Sequence, residues 1–67
     1  MITSDPLMIG HVYRVYTRKH VAGRTRFVGR LVMTTEDYVT FRLNKREVIT
    51  ITHDTLRAAR FVERGDR

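Results

Sequence analysis

Apolar and polar residues alternate with a period of two through the middle of this chain, the spacing that puts successive side chains on opposite faces of a pleated strand. In T-R-F-V-G-R-L-V-M-T, residues 25–34, Phe27, Gly29, Leu31 and Met33 take one face, and Arg26, Arg30 and Thr34 the other. Gly29 would weaken a flat strand, so its place here predicts a sharp bend or a close backbone approach. D-Y-V-T-F-R-L alternates more cleanly, with Val39, Phe41 and Leu43 inward and Tyr38, Thr40 and Arg42 outward. Asn44-Lys45 then suits a two-residue hairpin turn. The β-branched run R-E-V-I-T-I-T returns as a strand with Ile49 and Ile51 inward.

The flanks are less regular. I-G-H-V-Y-R-V-Y-T-R reads as a first strand of ambiguous facing, because Val12 and Tyr16 share a parity with Arg14 and Arg18. H-D-T-L suits a single 3₁₀ turn that Asp54 would cap. R-A-A-R-F-V-E reads as a fifth strand returning Phe61 to the core, although residues 56–63 also suit a two-turn helix by propensity. The predicted fold is all-β: a small five-stranded SH3-like or Sm-like barrel, with one long basic hairpin loop and a short 3₁₀ turn before the last strand. Closure would remove the exposed edges of a five-stranded sheet. Residues 1–8 would form an arm, 9–63 the barrel, and 64–67 a frayed tail.

Length allows one domain only: 67 residues. Cysteine is absent, so disulfides and thiolate metal sites are excluded, and self-association or docking on a larger partner is the expected extra support. No signal or membrane-spanning pattern is present, which sets a cytoplasmic expectation. Charge changes the picture most. The chain carries a formal net charge of +6, and no acid lies between Asp5 and Glu36. That window holds Arg14, Arg18, Lys19, Arg24, Arg26 and Arg30, whereas residues 36–67 carry seven basic and six acidic side chains. A one-sided positive field steers polyanions.

The pieces Phe27-Val28-Gly29-Arg30-Leu31, Val39-Thr40-Phe41, Glu47-Val48-Ile49-Thr50-Ile51 and Leu56 through Phe61 form a further pattern. Together they resemble the small β-barrel domain that ends the bacterial ribosome maturation factor RimP and, more distantly, Sm/Hfq proteins. The resemblance implies a barrel and association with RNA or the ribosome. It does not carry over the Sm signature, since Thr40 stands near its Asn position and Thr52-His53-Asp54-Thr55 replaces its second turn.

The densest cluster is R-K-H-V-A-G-R-T-R, residues 18–26. Arg18, Lys19, Arg24 and Arg26 would spread around a turn at Gly23 and neutralise phosphates, against the plainer reading of a solvated loop. Arg14, Arg30 and Arg42 extend that surface. Tyr16, between Arg14 and Arg18, would stack on an unpaired base, and Tyr13 and Tyr38 are weaker candidates; tyrosine at a barrel rim also simply covers core. Charge of this kind does not distinguish RNA from DNA. Outward Val28, Val32 and Val48 would form an oligomer or protein-docking patch, unless curvature draws them inward. His11, His20 and His53 are scattered singly, which predicts neither metal nor cofactor. No nucleophile lies in a recognisable motif, which predicts a non-enzyme. The expected function is non-catalytic binding of RNA or a ribonucleoprotein through residues 14–30. The alternative is a regulatory protein-interaction module, of viral or mobile-element type, docking on an acidic protein surface.

Overall fold

Tyr13, Val15 and Thr17 are buried while Arg14 and Arg18 are exposed, which gives the first strand its facing. That strand is β1 (Val12–Val21), and it is followed by β2 (Arg24–Thr34), β3 (Tyr38–Arg42), β4 (Val48–Thr52), a one-turn helix α1 (His53–Arg57) and β5 (Phe61–Arg64). These elements come from a computed structural model that describes residues 7–65. All the strands are antiparallel neighbours in one sheet of order β4-β3-β2-β1-β5.

The sheet is curled. Laid flat, the 11 residues of β2 would run about 36 Å. The whole domain measures only 27 × 26 × 25 Å. The curl encloses a core in which Val15, Leu31 and Phe41 are fully buried and Phe27, Ile49 and Val62 nearly so. Phe41 meets Phe27 and Tyr13 edge-on, at ring separations of 5.3 and 6.4 Å. Gly29 packs closely on β3: a Cβ there would lie 3.0 Å from that of Phe41 and 3.3 Å from the Arg42 carbonyl oxygen.

Several expectations need correction. Full closure is not reached, because β4 and β5 end the sheet with no ladder between them among the described residues. Instead α1 links them and contributes Leu56 to the core. The turn before the last strand is α-helical, not 3₁₀, and Thr52 caps it, not Asp54: the Thr52 hydroxyl accepts the Thr55 N–H at 3.1 Å. Asp54 sits in the first turn and pairs with Arg57. The fifth strand forms as expected but begins only at Phe61, and it is Val62 that turns inward, while Phe61 is half-buried on the outer face. Arg64 pairs with Tyr13 and the Gly65 N–H bonds the Val12 carbonyl, so neither frays; the rest of the expected tail, and residues 1–6 of the arm, lie outside the described residues.

Met33 is exposed, because an irregularity in the β2–β3 register after Leu31 pairs it with outward Thr40. The β3–β4 connection is longer than two residues. The Leu43 N–H bonds the Glu47 carbonyl, and Asn44 Oδ1 accepts the Arg46 N–H at 2.8 Å. The long basic hairpin loop is mostly strand. Only Ala22 and Gly23, at φ of 51° and 79°, separate β1 from β2, the positive-φ pair of a two-residue hairpin turn.

Candidate nucleic-acid interface

Register decides which of the cationic side chains meet. Tyr16 pairs with Phe61 of β5 on one side and with Arg26 of β2 on the other. Two residues along, Arg14 pairs with Glu63 and with Val28. Both rows lie on the outer face of the sheet. Tyr16 and Phe61 stack with centroids 4.2 Å apart and planes 24° from parallel. A cleft of about 300 Å³ opens beside Tyr16, lined by Arg14, Arg26, Phe27 and Val28. A second, of about 310 Å³, opens on its other side between Thr17, Arg18, Thr25 and Arg60.

Between Tyr16 and Val21 the β1–β2 register breaks, since five steps along β1 match only two along β2 from Arg26 to Arg24. This bulge is pinned from inside. The buried Thr17 hydroxyl lies 2.6 Å from the Lys19 carbonyl oxygen, which accepts its hydrogen, and 3.3 Å from that of Thr25. The slack turns Arg18, Lys19 and His20 outward. Arg18 Nε donates to the Ala58 carbonyl at 3.1 Å, tying the bulge to the end of α1. Arg18 and Lys19 line a further cleft of about 310 Å³ with Asp54, Thr55 and Ala58.

Arg24, Arg30 and Arg42 are held apart from this group. Arg30 and Arg42 face each other across β2 and β3, a pairing that costs stability unless the heads diverge. They do diverge: Arg30 Nη1 donates to the Gly10 carbonyl at 2.5 Å, and Arg42 Nε to that of Asn44 at 3.3 Å. Arg24 is paired with Glu47 at 2.9 Å, and Arg14 with Glu63 at 3.4 Å. The acid-free window therefore acquires two carboxylates from the second half of the chain. Such exposed pairs contribute about 0–1 kcal/mol each, so a polyanion can displace them at little cost.

Tyr13 belongs to the core, its hydroxyl accepting the Met8 N–H at 2.8 Å. Tyr38 is exposed at the far end of β3, where it pairs with Thr52, away from Tyr16. Val28, Val32 and Val48 are all exposed, but Arg30 interrupts them along β2 and Arg42 stands opposite Val48, so they form no continuous apolar patch. His53 Nε2 donates to the Thr35 carbonyl at 2.7 Å and fastens α1 to the turn after β2. No three His, Asp or Glu side chains converge as metal ligands among the described residues.

Sequence reasoning missed Phe61 and Arg60 as members of the basic face. The signal was present for Phe61: Glu63, two residues on, shares its parity and has no place in the core. Compared with protein-family models, curated proteins and solved structures, the chain matches none.

Proposed function

We propose that this domain is a non-catalytic nucleic-acid-binding module, acting in the cytoplasm on RNA or a ribonucleoprotein, through the outer face of β1, β2 and β5. The observation that carries this reading is the convergence of Arg14, Arg18 and Arg26 around the Tyr16–Phe61 stack. Guanidinium groups spaced along a surface neutralise phosphates and release counterions, and an aromatic face among them offers a base something to stack on. The resemblance to the ribosome factor's barrel supports RNA over DNA. Contacts of this kind position a backbone without reading sequence.

Lys19 and Arg26 have no ion pair or hydrogen-bonded partner for their side chains among the described residues. Reversing them disturbs binding with the least effect on the fold; Arg24→Glu, by contrast, would set two carboxylates against each other at Glu47. Lys19→Glu with Arg26→Glu is expected to weaken RNA binding at low salt by at least tenfold. It should also lower the slope of log affinity against log salt by roughly one for each phosphate that is no longer neutralised. Unchanged affinity and slope in the variant would overturn the proposal.

A second reading, docking on an acidic protein surface, is favoured by the exposure of Val28 (52%) and Val48 (57%) beside Arg14 and Arg42. Arginines would steer such a partner and valines anchor it. Absence of any RNA, DNA or heparin binding at low salt would favour this reading.

A further inference from the structure

The aromatic stack and the arginines around it also bear on which form of nucleic acid this face takes. Tyr16 is flanked along β1 by Arg14 and Arg18, each two residues away and so about 6.7 Å along the strand. Across the strands it is flanked by Phe61 and Arg26. Tyr16 and Phe61 are each half-buried, so the pair presents ring surface to solvent between two clefts that both contain arginine. No core requirement explains the pair, because Val15 and Val62 fill the interior opposite them.

A duplex keeps its bases stacked inside and offers only phosphates to a surface of this kind. A single strand can lay an unpaired base on an aromatic platform while the phosphates on either side reach separate cations. Arg14 with Arg26 on one side of the platform, and Arg18 with Arg60 on the other, supply cations that flank it, Arg14 and Arg18 lying four residues and so about 13 Å apart along β1. We infer that the Tyr16–Phe61 pair is a base-stacking platform, and that this face selects single-stranded nucleic acid over duplex. The inference rests on the nucleic-acid reading above and names the form of the ligand.

The test is a fluorescence-anisotropy titration at one low salt concentration, using labelled oligo-uridine, oligo-deoxythymidine and a duplex of equal length. The single strands should bind more tightly than the duplex. Tyr16→Leu and Phe61→Leu should each weaken single-strand binding roughly 5- to 150-fold, and leave duplex and heparin binding and the salt slope unchanged. Should either variant fail to fold by circular dichroism, the wild-type protein decides the matter by NMR: the Phe61 ring protons should shift on adding oligo-uridine and not on adding duplex. Duplex binding as tight as single-strand binding, or Phe61 protons that do not move, would overturn the platform and leave the nucleic-acid reading standing. Failure of all three ligands and heparin to bind would overturn both.

Discussion

Phe41 leaves almost no room beside Gly29, and this is where the physics of single residues is plainest. The nearest atoms to a Cβ at position 29 include the Phe41 Cβ and a backbone carbonyl, neither of which can move without shifting β3. Gly29→Ala is therefore expected to destabilise the domain by about 1–3 kcal/mol, measured as a lower urea midpoint at unchanged slope. A neutral or stabilising effect would mean that β3 yields. The close approach at Gly29 was legible because the glycine interrupts an otherwise continuous apolar face. The facing of Tyr16 was not legible, since Val12, Arg14, Tyr16 and Arg18 mix apolar and charged types on one parity. The other parity, Tyr13-Val15-Thr17, became the inner one because a buried tyrosine and threonine can satisfy their hydroxyls locally, through Met8 and the Lys19 carbonyl. A buried arginine could not do so without a partner.

At the scale of elements, the β1–β2 hairpin turn holds a residue in a strained conformation. Ala22 adopts φ of 51°, a region where an L side chain crowds the following carbonyl at about 1–2 kcal/mol. Ala22→Gly removes that crowding but frees the unfolded chain by about 0.4–1 kcal/mol. A net stabilisation of about 0.5–1 kcal/mol is expected, read as a higher thermal midpoint, and a loss of stability would show that the strain is relieved elsewhere. The sequence marked a turn at Gly23 but not its length, and it marked neither bulge. A bulge shifts the pairing of two strands distant in sequence, and alternation within one strand carries no record of it. That is why Met33 was expected inside and why residues 19–21 read as loop. β2, β3 and β4 were legible because each alternates over enough residues to fix its type, whereas the four residues of β5 also suited a helix.

Across the whole molecule, folding turns the arginines of the strands outward while supplying few acids to offset them. Arg14, Arg18, Arg26, Arg30 and Arg42 all lie on the outer surface, and the formal net charge is +6. The ion pairs of Arg14, Arg24 and Arg57 are exposed and individually weak. Self-repulsion should therefore dominate, so sodium chloride, which screens it within about 10 Å at 0.1 M, is expected to raise the thermal midpoint. A midpoint that falls with added salt would show that the attractive pairs outweigh the repulsion.

The sequence by itself determined the strands, the inward residues of β3 and β4, and the concentration of positive charge in one half of the chain. All of these follow from spacing and type within short windows. Only the tertiary structure decided which cations are neighbours and which aromatic ring joins them. Glu47 reaches Arg24, Glu63 reaches Arg14, and Phe61 lies on Tyr16, across separations of 23 to 49 residues along the chain. The reason is physical: register between strands is set by how the whole core packs, and a one-residue slip moves every side chain of a strand to the other face.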